Sequence, residues 1–433
     1  MKKILTLTLA AAFTITSYAP ASAVDVSVDG EWLYQFQTSS EGFEGQNTEH
    51  VGQRIRLGLT MKASDDLHGY TQFEMEDLWG TSEGKDGSKN VVVRQMYLDW
   101  KVPSTDIRIR MGRHAFDMPA YATCSPIITD WVNEGIVAHI PFNDTYSITG
   151  FWARAVNGER SDGDEGNHNV DFFGIVGNAS LDKLTLTPYV LYGNKGKTSV
   201  LGDDEQYMPE QSNFAYDNVR GDLFIAGTGI EWKPADAWTL ALDGAYGKLN
   251  YSETNDEIKD QSGWYVAAKA SYDLDFGTPA LLAWYASGDD KGENKHGQLP
   301  HIFGDFDATN TYFNAAPGIV GGHSTNVGGT WGIAAQLNGL SFINNLTHDL
   351  SIAYIGGTND KNNVGDDYGF GYDYMTTEDR AIELSAVNTL ELYKNLSAIV
   401  EAAYIIEDFD TSRRPDSNFE NDWRLSMTFA YTF

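Results

Sequence analysis

Residues 423–433, WRLSMTFAYTF, close the chain, and their reading decides the fold. Trp423, Leu425, Met427, Phe429, Tyr431 and Phe433 share one parity, with Arg424, Ser426, Thr428 and Thr432 between them. Side chains of a strand point alternately to its two faces, so the segment has one apolar and one polar face. At the end of a soluble sheet such a strand would be an exposed edge open to aggregation. A closed barrel removes the edge by pairing the last strand with the first.

Residues 24–37 repeat the pattern. Val24, Val26, Val28, Trp32, Tyr34 and Phe36 alternate with Asp25, Ser27, Asp29, Glu31, Gln35 and Gln37. The run is about 14 residues, against about 5 to 6 for an ordinary strand and about 9 to 11 for one that crosses a bilayer at a tilt. Between the two ends the alternation recurs at 51–61, 67–75, 96–100, 107–111, 146–152, 184–192, 238–246 and 264–272. It continues at 281–285, 331–337, 350–354, 382–386 and 396–406. Connections alternate between short turns (64–66, 103–104, 142–144, 181–182, 234–236, 394–395) and long Gly- and Asp-rich segments, of which 288–328 is the longest. Aromatics near strand ends, such as Trp32, Tyr34, Trp79, Trp100 and Trp152, suit interfacial girdles. The expected architecture is all-β: a transmembrane antiparallel up-and-down barrel of about 18 strands, or 16 if 135–141 and 170–176 do not both cross. It is a single domain, residues 24–433.

Composition removes the competing classes. The 433 residues include 30 Lys and Arg against 61 Asp and Glu, a net charge of −31, so nucleic acid would be repelled. A single cysteine excludes an internal disulfide framework. No apolar run approaches the roughly 18 to 20 residues of a spanning helix. Residues 1–23, MKKILTLTLAAAFTITSYAPASA, read as a cleavable signal peptide, with a basic start, an apolar core over 4–13 and the small-residue site Ala21-Ser22-Ala23.

If apolar positions face lipid, their neighbours face the lumen. That assigns Arg54, Arg56, Arg108 and Arg110 to a basic inner wall, and Glu74, Glu76, Gln95, Tyr97 and Asp99 to its acidic and polar complement. An Arg turned to lipid would cost about 2 to 4 kcal/mol at mid-membrane, which supports the inward assignment. Arg94 shares the parity of Met96 and Leu98 and breaks the rule, so an interfacial or subunit-contact role is expected for it. The connection 114–134, HAFDMPAYATCSPIITDWVNE, is more apolar than the others and is expected to fold inward. Its Asp117, Tyr121, Asp130 and Glu134 would then form a constriction in which the acids face the four arginines, a transverse field that sorts ions and dipolar solutes. The alternative is that the arginines pair structurally with acids and the loop packs outside.

With these features in view, the terminal strand, the inward loop after a basic strand and the stretches VRQMYLDWKVP (93–103) and RIRMGRHAFDMP (108–119) resemble trimeric outer-membrane porins. The homotrimeric porins of Desulfovibrio-type sulfate reducers are the nearest in character. The resemblance implies a passive, water-filled channel in the outer membrane of a Gram-negative cell, with the third loop narrowing the pore. It further implies Phe433 as the terminal barrel-assembly residue. Implied partners are further copies of the chain as a homotrimer, outer-membrane lipid and lipopolysaccharide, the barrel-assembly machinery and periplasmic chaperones. A count of 18 strands departs from the 16 of general diffusion porins and is nearer to sugar- or amino-acid-specific channels. Tyr70, Tyr97 and Tyr121 are the residues available for an aromatic ladder.

Other constellations carry little. Cys124 stands alone, the nine His are scattered, and Ser125 with His114 or His139 has no spacing that marks a hydrolase. No cofactor and no metal site are expected, beyond weak Ca²⁺ or Mg²⁺ binding by the acidic clusters at 162–165, 203–205 and 366–367. The function expected is therefore non-enzymatic: passive diffusion of ions and small hydrophilic solutes. Alternatives are a substrate-specific channel with saturable binding, or a non-conducting adhesion or structural barrel.

Overall fold

The computed structural model describes residues 24–41, 46–80, 91–157, 169–197, 219–254, 258–290, 295–313, 326–362, 374–410 and 421–433. The leader 1–23 and the acidic clusters at 162–165, 203–205 and 366–367 lie outside them.

The first strands are β1 (Asp25–Glu41), β2 (Gln46–Ser64), β3 (Leu67–Leu78), β4 (Val92–Lys101), β5 (Arg108–Phe116) and β6 (Trp131–Pro141). Next come β7 (Tyr146–Val156), β8 (Val170–Ser180), β9 (Leu184–Lys195), β10 (Gly221–Ala235), β11 (Trp238–Tyr251) and β12 (Asp260–Tyr272). The rest are β13 (Thr278–Ala286), the two-residue β14 (Lys295–His296), β15 (Thr330–Ile343), β16 (Leu346–Gly357), β17 (Arg380–Tyr393), β18 (Leu396–Asp408) and β19 (Asp422–Thr432). All but β14 form one antiparallel ring, each pairing with its sequence neighbours; β13 pairs with β15, and β1 closes on β19. The barrel therefore has 18 strands, and the two segments whose crossing was in question, in β6 and β8, both belong to it. Closure leaves the sheet no free edge, so the ladder runs around the whole ring.

The two ends of the barrel differ. Short turns join β2–β3, β4–β5, β6–β7, β8–β9, β10–β11, β12–β13, β15–β16 and β17–β18, and the start of β1 and the end of β19 lie at that end. Phe433 is held there by paired backbone bonds with Gly30, at 3.0 and 3.1 Å. Long connections occupy the other end.

Burial is inverted relative to a soluble sheet. On β19 the apolar Leu425 and Met427 are 46% and 39% exposed, while Arg424 and Ser426 are 4% and 1%. Outward aromatics gather in two belts. Trp100, Trp232, Trp238 and Tyr272 lie near the turns, and Tyr192, Phe224, Tyr246, Trp264 and Tyr285 near the loop end. Cross-strand ring pairs such as Trp238–Tyr272 (4.9 Å) and Trp264–Tyr285 (5.1 Å) knit each belt together.

The buried apolar core is inside the barrel. Inward residues of β8–β13, among them Phe172, Leu191, Leu223, Ile225, Leu249, Tyr265, Leu282 and Trp284, pack against residues of two infolded loops. On this side the strands are apolar on both faces. The inward parity is polar mainly on β1–β5 and β17–β19.

Candidate functional site

Inward side chains of β1–β5 form a charged wall. Register places Glu31 beside Arg56 and Leu33 beside Arg54, Arg54 beside Glu76, Arg56 beside Glu74, and Asp99 beside Arg110. Arg54, 6% exposed, donates to Glu31 at 3.1 Å. Arg56 donates to Glu74. Asp99 accepts from Nε and a terminal nitrogen of Arg110 at 3.1 and 3.0 Å, and from Arg108 at 3.2 Å. The guanidinium of Arg110 lies 4.3 Å from the centre of the Tyr97 ring, which in turn packs against Tyr70 at 5.3 Å. Gln95 contacts Gln72 at 3.5 Å. Gly112, opposite Tyr97, has φ +126°, and a Cβ there would collide with the backbone of Met96 and Tyr97, so only glycine keeps the wall this close. Although their strand positions point into the barrel, the side chains of Arg108 and Arg110 are 44% and 38% exposed.

The inward loop comprises residues 117–130, three residues shorter at its start and four at its end than the 114–134 expected from the sequence. His114–Phe116 and Trp131–Glu134 are paired strand, because the β5–β6 ladder runs on to Phe116↔Trp131. The loop leaves that ladder and crosses to β11, where buried Asp243 accepts the backbone N–H groups of Tyr121 and Ala122 at 2.6–2.9 Å. Tyr121 packs there against Gly229 on β10. It is thus on the far side from Tyr70 and Tyr97, and the three do not form one ladder.

The described part of a second loop, 295–313, also folds inward. Its Phe303 pairs with Ile128, Thr129 N–H donates to Phe303 C=O at 2.8 Å, and Asp305 N–H donates to Ser125 C=O at 3.1 Å. Asp307 accepts the Cys124 N–H at 2.7 Å. A Cβ at Gly304 would strike the Pro126 carbonyl. Its far part is held by fully buried Glu383 on β17, which accepts the N–H groups of Asn310, Thr311 and Tyr312 at 2.8–3.0 Å. This loop has a sequence signal that strand alternation does not pick out. Leu299, Ile302, Phe303, Phe306, Tyr312 and Phe313 make it as apolar as the third loop, but it sits within a longer Gly- and Asp-rich stretch. Asp243 and Glu383 were equally hidden, as single acids on otherwise apolar inward faces.

Three expectations change. The loop acids do not face Arg54, Arg56, Arg108 and Arg110, whose carboxylate partners come from the wall itself: Glu31, Glu74 and Asp99. Asp130 instead pairs with Arg94, while Asp117 accepts the Asp130 N–H at 2.7 Å. Glu134 is no part of a constriction; it lies on the outward parity of β6, 2.8 Å from Arg113. Arg94 does not point outward. The β3–β4 register skips it, pairing Gln72 with Gln95 and Phe73 with Val93, and this bulge turns its side chain inward to Gln72 (3.1 Å), Glu74 (3.7 Å) and Asp130. A one-residue bulge reverses parity, and the misplaced Arg94 is its trace in the alternation.

Protonation at the loop junction is shifted by burial. Desolvation raises Asp117, and it raises Asp305 to about 7 with help from the neighbouring Asp307 charge. Burial and Asp307 together push the Cys124 thiol up to about 12, so it stays protonated and is a poor nucleophile.

No protein-family model matches the chain, and no curated protein does. Solved structures do. OprD of Pseudomonas aeruginosa aligns with a TM-score of 0.56 at 13% identity, covering 97% of this chain and 98% of that one. OpdO of the same organism aligns at 0.56 and 13%, covering 94% and 97%. OpdQ aligns at 0.56 and 12%, covering 94% and 99%. At these identities the likeness shows the fold: a porin-like β-barrel over nearly the whole chain.

Proposed function

We propose that the protein is a non-enzymatic passive channel of the bacterial outer membrane, carrying ions and small hydrophilic solutes down their gradients. The observation that carries this reading is the exposure of Arg108 and Arg110. Arg108 stands at the turn end of the barrel, bonded to the Asp65 carbonyl, and Arg110, two residues further in, points into the closed barrel and is still 38% exposed, which supports a water-filled path that enters along the β2–β5 wall. The two infolded loops occupy the opposite side and narrow that path. OprD of Pseudomonas aeruginosa, an outer-membrane protein, shares the fold at 12% identity, which supports the location.

A second reading, a substrate-specific channel with saturable binding, is favoured by the Tyr70–Tyr97–Arg110 stack beside the Asp99 carboxylate. Such a stack offers a planar face and both signs of charge to a passing solute. The signal peptide, the homotrimer of the Desulfovibrio porin type, contacts with lipopolysaccharide, and delivery by periplasmic chaperones to the barrel-assembly machinery complete the proposal. Weak divalent-cation binding by the acidic loops belongs to it as well.

Liposome swelling tests it. Vesicles containing the refolded protein should swell in small sugars and amino acids at rates that fall with solute size. Rates equal to those of empty vesicles for every solute would contradict a channel. Rates that saturate for one solute class would favour the second reading.

A further inference from the structure

The two inward loops meet in a junction of unlike halves. In one half Thr129 N–H donates to the Phe303 carbonyl at 2.8 Å, and Ile302 and Phe303 N–H donate to the Ile127 carbonyl at 3.1 Å. Ile127, Ile128 and Ile302 are buried around these bonds. In the other half Asp305 N–H donates to the Ser125 carbonyl at 3.1 Å, and Cys124 N–H donates to Asp307 at 2.7 Å. Gly304 divides the halves and lies too close to the Pro126 carbonyl for any side chain.

The second half is crowded with acid. Asp307 on its own loop and Asp130 on the other act on Asp305, and Cys124 feels Asp307, Asp305 and Asp117. Among the described residues the base bonded to these acids is Arg94 of β4, which also serves Glu74 and Gln72. One Asp305 oxygen, Oδ1, is shielded from solvent and has no hydrogen-bond partner. Asp117, Asp130 and Asp307 are exposed, so solvent reaches the rim of the junction. A neutral Asp305 adds no charge to this cluster. An ionised one sets a charge without a donor beside Asp307 and Asp130, and residues 305–307 relieve it by moving out to solvent.

We propose that this junction is a proton-held clasp: residues 305–307 lie on 124–125 while Asp305 is protonated and lift away when it ionises. The apolar half stays joined. So do the far anchors, Asp243 under Tyr121 and Ala122, and Glu383 under Asn310, Thr311 and Tyr312. The motion is therefore a swing about Gly304 that leaves both loops inside the barrel. Resting on the reading of the chain as a channel, the swing alters the width beside the loops and makes passage depend on pH. Burial, with the Asp307 charge, raises the Asp305 carboxyl to about 7, so its ionised share goes from about a tenth at pH 6 to about nine tenths at pH 8.

Cys124 reports the clasp. Its alkylation by N-ethylmaleimide, an uncharged reagent, is followed in lipid vesicles for the native chain and for Asp305→Asn, from about pH 6 to about pH 8. Burial, then the Asp307 and Asp305 charges, hold the thiol up, so an ionised Asp305 that moved nothing would slow the native chain relative to the variant. The clasp predicts the reverse: the native-to-variant ratio of rates climbs about tenfold over this range, in step with the ionised share. A ratio that stays flat or falls overturns it. Asp307→Asn keeps an acceptor for the Cys124 N–H and removes a repelling charge, so Asp305 should ionise at lower pH. The ratio of that variant's rate to the native rate should then fall as pH rises. A constant ratio would overturn the clasp even where Asp305→Asn does not fold. Alkylation requires no conduction, so swelling of the same vesicles separates the two readings. Solute entry with a flat ratio contradicts the clasp alone, and a rising ratio with no solute entry contradicts the channel alone.

Discussion

Asp243 shows how much of the site rests on single side chains. Its carboxylate takes the backbone N–H groups at the tip of the 117–130 loop, and each such charge-assisted bond contributes about 1.5 to 3 kcal/mol. Asp243→Ala removes the anchor while leaving the strand paired, so the loop should detach from β11. Single-channel records should then show higher and noisier conductance; unchanged records would mean the loop is held by its apolar packing alone. Asp305 is the titratable counterpart. In the unfolded chain it ionises near 3.8 and in the folded loop near about 7, so the folded state binds more protons in that interval. Its contribution is fully present below 3.8 and is lost as pH rises through about 7. Thermal stability should therefore decline as pH is raised from about 4 to about 8, and Asp305→Asn should flatten that decline. An identical slope in the variant would assign the dependence to other groups.

At the scale of elements, strands were legible and loops only partly so. Alternation located β1, β2, β9, β11, β12, β18 and β19 because an outward apolar face beside an inward polar one leaves period two in the sequence. It weakened at β6 and β8, where inward Trp131, Val137 and Phe172 pack in the interior and both faces become apolar. The bulge at Arg94 is visible only as a charge on the apolar parity, which an outward interfacial arginine and an inward one past an extra residue would leave alike. Basic β5 was read as lumen wall, and Arg108 and Arg110 do face inward; their partner, Asp99 on β4, depends on register that sequence does not fix. That register sets an expectation for selectivity. With Arg54, Arg56, Arg108 and Arg110 replaced by Gln, the carboxylates of Glu31, Glu74 and Asp99 lose their counter-charges. Reversal potentials in a salt gradient should shift toward cations, and unchanged potentials would remove this wall from the conduction path.

The whole molecule is held by closure. β1 lies between β2 and β19, and Phe433 bonds back to Gly30 at the end where β1 starts and β19 stops. Removing Phe433 should lower the yield of heat-modifiable barrel more than it lowers the melting temperature of what does fold, because the residue acts where the ring is sealed. Equal yields would confine its role to packing. Outside, the strand faces are apolar; inside, two loops fill one side of the lumen, and on the other Arg108 and Arg110 of the charged wall stay exposed. The central claim is that this wall lines an open path, and the direct measurement is single-channel conductance of the refolded protein in a planar bilayer. Stepwise, ohmic openings are expected, with larger steps for Asp243→Ala. A folded barrel that inserts and never conducts, in either form, would contradict it.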